Sequence, residues 1–277
     1  MFTLEMIIIG GLTGVLSGLL GVGGGFIMIP LLIAMGFLMR EAVAVSLLYV
    51  AFTASSGAFR HLKLGTADPV LGLVLLSGAT PMVIIGSHYS TILPQETLQV
   101  VFALFVIGAA AAYSRWGRSA DLFTEASMSR NRGFPPRRHI LIRRRQISKE
   151  EVVFTINIFY GIAIGACFGF ISGLVGIGGG WLLVPLLVIL MRTPLRIAVG
   201  TSLLSIVVPA IVGAAAHWRF GNLDPKATVP LILSGIAGAQ IGAITLGIMP
   251  PTWLERFLLF LLLITSGYML GQGLGWL

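Results

Sequence analysis

Charge is what this chain has least of. Only 10% of its 277 residues are Asp, Glu, Lys or Arg, against 56% hydrophobic and a mean hydropathy of +0.97. Soluble domains carry about 25% charged residues, and a surface this poor in charge cannot be kept in water. A soluble structural protein is excluded, and the exterior must face lipid. Cysteine is scarcer still: Cys167 is single, so the chain can form no internal disulfide and no cysteine-pair metal site. Within GACFG, on an apolar segment, it reads as a small packed residue. Signatures of catalysis are missing too, with no G-x-S-x-G, no H-E-x-x-H and no paired intramembrane aspartates. GVGGGF and GIGGGW lack the strand context and final glycine of a nucleotide loop, and no Walker lysine follows them. Neither an enzyme nor an ATP-driven pump is expected, and no cofactor or metal. The N-terminal MFTLEMIIIGG has no basic n-region, which argues against a cleaved signal peptide.

The charge that is present is concentrated. Ten of the 18 Lys and Arg fall between Ser114 and Glu151, a segment with four acids. Nucleic-acid binding is one reading of such a run. In an apolar chain the better one is a cytoplasmic loop, by the positive-inside rule, with anionic lipid as its contact. The expected organisation is a first transmembrane repeat at 1–113, a basic cytoplasmic loop at 114–151 and a second repeat at 152–277.

Five apolar stretches fit each half: 4–20, 26–38, 42–60, 69–87 and 97–113, then 152–174, 181–191, 195–216, 226–246 and 253–275. About 20 helical residues cross a ~30 Å hydrocarbon core. The second stretch of each half is too short for that and carries a proline near its start, so both read as half-helices or re-entrant segments. The fold class is an all-α polytopic membrane protein, with two homologous repeats of four to five helical segments.

Residues 14–35 (GVLSGLLGVGGGFIMIPLLIAM) and 169–190 (GFISGLVGIGGGWLLVPLLVIL) are identical at 11 of 22 positions, including every glycine, Ser17/Ser172 and Pro30/Pro185. A second block, 42–69, aligns with 198–225, and both copies end in His, a basic residue, Gly and then Asp-Pro. Asp68 and Asp224 read as N-caps with Pro69 and Pro225 at the first helical position. Thr193-Pro194 reads the same way. Matched Gly/Pro-broken segments in two halves are the sequence mark of a transporter with a midplane site. An odd number of crossings per half would invert the repeats, whereas four would leave them parallel. Inversion is favoured here, because an in-plane axis brings both breaks to one place.

Gly23, Gly24 and Gly25, like Gly178, Gly179 and Gly180, directly precede a helix. A helix start offers free N–H groups and about half a positive charge, and glycine allows close approach and positive φ. Two such starts would hold an anion without a full positive charge; the alternative is close helix packing. Ser17, Ser172, Ser46, Thr201 and Ser202 are candidate hydroxyl contacts, against self-bonding to helix carbonyls. Gln240 has no polar counterpart in the first half and is a candidate lining residue. His61 and His217 are a matched titratable pair for proton coupling or, beside Trp218, interfacial anchors. Arg60, Lys63 and Arg219 beside them suit anion steering.

The doubled G-x-x-S-G-x-x-G-x-G-G-G-x-x-x-x-P-L-L, then A-V-x-x-S-L-L, H-x-[KR]-x-G and D-P, resembles the sulfite exporter family of the TauE/SafE type over about 14–113 and 169–275. The resemblance implies seven or eight spans and movement of sulfite, sulfoacetate or a related organosulfonate across the bacterial cytoplasmic membrane, expectedly as export. A related group of thiosulfate importers relays its substrate on cysteines; here Cys167 stands opposite Leu12, which argues against a thiol relay. The alternatives are a passive anion channel or a permease for another small organic anion. The expected partners are a small anion and the bilayer, with no nucleic acid; self-association into a homo-oligomer stays open.

Overall fold

The computed structural model describes residues 2–20, 23–63, 65–108, 110–111, 140–147, 150–176, 178, 180–191, 193–221, 225–245 and 251–276. Gly179, Asp224 and most of the basic loop (112–139) lie outside the described residues. The helices are α1 (Phe2–Leu20), α2 (Gly25–Ala34), α3 (Met39–Lys63), α4 (Pro69–Ile92), α5 (Gln95–Gly108), α6 (Ile158–Val175), α7 (Gly180–Met191), α8 (Leu195–Arg219), α9 (Pro225–Thr245) and α10 (Pro251–Gly273). A hairpin of β1 (Ile140–Ile147) and β2 (Glu150–Asn157) leads into α6. Four helices are long and apolar enough to cross a membrane among the described residues: Met39–Lys63, Pro69–Ile92, Ile158–Val175 and Ile197–Arg219. The protein is an all-α polytopic membrane protein with one small hairpin added.

The two short segments are short helices. α2 has 10 residues and α7 has 12, so at 1.5 Å per residue neither reaches across a ~30 Å core. At the start of α4, Asp68 accepts a 2.9 Å bond from the Leu71 N–H, with Pro69 at the first position, as its sequence required. Thr193-Pro194 departs from that pattern. Pro194 itself occupies the cap of α8, and the buried Thr193 hydroxyl has no partner among the described residues. Residues 152–157, expected as helix, are strand, because VVFTI is a continuous run of β-branched and aromatic residues. Phe154 and Ile156 bury on one side while Val153 is 49% exposed. Cys167 lies exposed on the outer side of α6 rather than packed, because its neighbours Phe168 and Ile164 take the inward face.

The longest packing seams join the two halves. α1 lies along α9, α6 lies along α4, and α3 packs on α8. Glycines make the first two seams close. Cβ atoms built on Gly10 and Gly14 of α1 would strike the Leu231 and Gly235 carbonyls, and one on Gly238 would strike that of Gly11. On the other seam Gly165, Gly169 and Gly173 meet the carbonyls of Leu75, Ala79 and Val83, while Gly78 and Gly86 meet those of Ile162 and Phe170. Small residues at such spacing let helix backbones touch and bring Cα–H groups onto carbonyl oxygens. α3 runs through the middle, with Tyr49, Val50 and Leu47 fully buried.

Candidate functional site

Both glycine breaks turn on left-handed backbone. Gly23 and Gly24 have φ of +79° and +78°, and Gly176 and Gly178 have +68° and +60°. An L side chain costs roughly 1–2 kcal/mol in that region, which is why glycine occupies these positions. α2 then begins at Gly25, with the Ile27 and Met28 N–H groups bonded to the Gly24 carbonyl and no side chain capping the start. Residues 23–30 are all buried.

The breaks meet on α3. A Cβ on Gly178 would fall 2.5 and 2.6 Å from the two Val50 methyls, and one on Gly23 would fall 3.3 Å from Val50 Cγ1. One step along, a Cβ on Gly176 would lie 2.7 Å from Val43 Cα. Val43, Ser46 and Val50 follow the three- and four-residue spacing of one helix face, and that face carries the second break. Ser46 donates a 2.8 Å bond to the Gly176 carbonyl, tying α3 to the end of α6. Tyr49, Val50 and Thr53 carry the first break. The Thr53 hydroxyl shares its proton between the Gly23 carbonyl at 3.3 Å and its own helix's Tyr49 carbonyl at 3.1 Å. Tyr49 donates to the Gly10 carbonyl at 3.1 Å and accepts from Thr13 at 3.2 Å. A Cβ on Gly24 would meet Ser17 Cβ at 3.1 Å and Tyr49 Cε1 at 3.2 Å.

Of the residues expected from sequence, Gly23, Gly24, Gly25, Ser17, Ser46, Ser172, Gly178 and Gly180 belong to these two breaks. Ser172 is buried, and its carbonyl receives the Gly176 N–H at 2.8 Å. Ser202 is also buried but bonds the Val199 carbonyl of its own helix at 2.8 Å. Thr201 is placed elsewhere: it accepts the Asp68 N–H at 2.9 Å. That end of the molecule gathers His61, whose Nδ1 is 2.8 Å from the Thr66 hydroxyl, and Arg143 of β1, paired with buried Asp68 at 3.2 Å. His217 is fully buried, with Nε2 at 3.5 Å from the Gly173 carbonyl, so it is no interfacial anchor, although its neighbour Trp218 is exposed. Gln240 sits on an exposed face of α9 and donates to Ser56 at 2.5 Å, away from the buried breaks. Arg60, Lys63 and Arg219 are exposed, and Lys63 lies 4.3 Å over the Phe59 ring.

A scan against protein families matches the sulfite exporter TauE/SafE model over residues 6–269. The chain belongs to the TauE/SafE family. Among curated relatives of this family member, the probable membrane transporter YunE of Bacillus subtilis is 26% identical over 86% of each chain. YdhB of the same organism is 26% identical, covering 88% of this chain and 90% of its own. A probable membrane transporter of Methanocaldococcus jannaschii is 27% identical, with 76% and 71% covered. No solved structure matches. This TauE/SafE chain is therefore a membrane transporter family protein.

Sequence reasoning missed Thr13, Val43, Tyr49, Val50 and Thr53. Tyr49 and Thr53 carried a signal, as polar groups in an apolar helix four residues apart. Val43 and Val50 carried none, since a valine in a membrane helix does not reveal which face it occupies.

Proposed function

We propose that this TauE/SafE protein is a secondary transporter for a small sulfur-containing anion such as sulfite, sulfoacetate or a similar organosulfonate. It would move the anion out across the cytoplasmic membrane, with residues 114–151 on the cytoplasmic side. The observation that carries this reading is the meeting of both glycine breaks at Val50 of α3. There the helix starts lie beside the buried Ser17, Ser46 and Thr53, and no charged side chain occurs among the described break residues. Dipoles and neutral donors bind a charged oxyanion moderately, so that it can leave again. A fixed guanidinium would hold it too tightly for turnover. Arg60, Lys63 and Arg219 at the exposed helix ends would raise the local anion concentration. Proton coupling rests on His61 and His217 and belongs to the same proposal.

The test is thermal stabilisation of the detergent-purified protein by sulfite, sulfate, thiosulfate, sulfoacetate, taurine and acetate, followed by flux in liposomes with and without a pH gradient. A ligand at 100 times its Kd adds about 2.7 kcal/mol, well within detection. Stabilisation by one sulfur anion and saturable flux are expected. A flat panel with unsaturable, gradient-independent flux would replace the transporter reading with a passive channel.

A further inference from the structure

We infer that Val50 is the divider between the two glycine breaks, and that its side chain sets the size of the anion that passes and closes the site when none is bound. The inference rests on the reading of the breaks as the anion site. Its own support is steric. The isopropyl group of Val50 is fully buried and stands against both breaks at once. On one side Gly178 leaves no room for even a Cβ, at 2.5, 2.6 and 2.9 Å from Val50 Cγ1, Cγ2 and Cβ. On the other side Gly23 would place a Cβ at 3.3 and 3.9 Å from the same two methyls. The two segments therefore press on one and the same side chain, and Val50 stands where they meet.

An anion cannot lie between the helix starts while this group fills the gap. Admission requires α3 to shift relative to at least one break. Beside the packing of Val43 and Tyr49, a polar tie flanks Val50 on either side. Ser46 bonds the Gly176 carbonyl at 2.8 Å, one turn before it, and Thr53 reaches the Gly23 carbonyl at 3.3 Å, one turn after it. The Ser46 bond is a single hydroxyl–carbonyl bond, while the Thr53 proton is shared with the Tyr49 and Val50 carbonyls of its own helix; an oxyanion can replace either by accepting the same proton. The anion would thus take over the donors that latch α3 to the breaks, and the valine would withdraw as the latches are exchanged. Trimming the valine should enlarge the admitted anion; lengthening it should block entry. Position 206, its counterpart in the aligned second block, is a buried isoleucine of α8.

The experiment is flux of sulfite and of the larger sulfoacetate into liposomes holding the full-length protein, for wild type, Val50→Ala, Val50→Leu and Gly23→Ala, with insertion checked by size-exclusion profile. Removing methyl-sized bulk from a selective pocket changes discrimination by about tenfold or more. Val50→Ala is expected to raise the sulfoacetate-to-sulfite ratio by about that factor, and Val50→Leu to lower both fluxes. A double variant, Gly178→Ala with Val50→Ala, should recover part of the folding yield that Gly178→Ala alone loses, because the two methyls are gone while the residue 50 Cβ, 2.9 Å away, and the positive φ of Gly178 remain. Unchanged ratios in the Val50 variants, with Gly23→Ala abolishing flux, would overturn the divider and keep the site. Unchanged flux in Gly23→Ala as well would remove the site itself, and the divider with it.

Discussion

Gly169→Ala should loosen the seam between α4 and α6. The added Cβ would lie 2.6 Å from Ala79 Cα and 2.7 Å from Ala79 C, besides striking the carbonyl oxygen. Every obstructing atom is backbone, so no side chain can rotate away. Restoring an ordinary contact of 3.4–4 Å demands that the helices part by about 1 Å, and a gap of 0.5–1 Å already forfeits a quarter to a half of the dispersion well. The parting is felt along the seam, where Gly165, Gly173, Gly78 and Gly86 press on the carbonyls of Leu75, Val83, Ile162 and Phe170. Overpacking typically costs 1–3 kcal/mol, and weakening of several Cα–H···O contacts at about 0.5 kcal/mol or more each acts in the same direction. A net loss of about 2–3 kcal/mol lowers the midpoint by roughly 5–10 °C for a chain of this size. The assay is the apparent melting midpoint of detergent-purified protein, read by tryptophan fluorescence and by the surviving monodisperse peak. The control is Gly267→Ala in α10, where a Cβ meets nothing within 4 Å, so alanine's better helix propensity should leave stability equal or slightly higher. If Gly169→Ala melts with Gly267→Ala, the close seam is refuted.

Ser46→Ala leaves the Gly176 carbonyl without its 2.8 Å donor. A loss of about 1–3 kcal/mol is expected, with anion flux falling more than that of a stability-matched variant elsewhere, checked by flux per inserted protein. Arg143→Ala removes the guanidinium from the fully buried Asp68 carboxylate, which keeps its bond from the Leu71 N–H. Destabilisation of about 1–3 kcal/mol is expected, less than for a wholly buried pair because Arg143 is 33% exposed. Asp68→Asn in that background should add less than it costs alone, as a double-mutant cycle on melting midpoints will read. Ser87→Ala removes a buried hydroxyl that has no partner among the described residues; an unchanged or higher midpoint is expected, and a drop would mean that the hydroxyl is bonded.

Much of the helical layout could be read from the chain because glycine and proline mark backbone, not packing. Gly23, Gly24 and Gly178 stand at positive φ, which few other residues tolerate, and the D-P pair at 68–69 is a helix start by local chemistry alone. The close seam had a legible signal that went unused: Gly161, Gly165, Gly169 and Gly173 recur every fourth residue on one face of α6. The hairpin was hidden by its own charge, since Arg143, Arg144 and Arg145 interrupt the alternation that Phe154 and Ile156 display on the facing strand. The Asp68–Arg143 pair joins positions 75 apart, a distance over which no local pattern operates. Thr201 and Gln240 failed as break residues for a related reason. Their polarity was visible, but helix rotation decided whether it met a break, the Asp68 amide or the outer face.

The pairing of α1 with α9 and of α4 with α6 bears on how the chain is made. Ribosomes deliver the amino-terminal segments to the membrane first, yet the glycine surfaces of α1 and α4 find their partners only after residue 158 and then residue 225 have emerged. During that interval these helices must wait in lipid with their narrow faces unmatched, held open to whatever insertion machinery shelters them. Neither half can be completed alone. Expressed as separate fragments, the halves should stay degradable until mixed, and synthesis that stalls before α9 should leave α1 as the segment most in need of a chaperone.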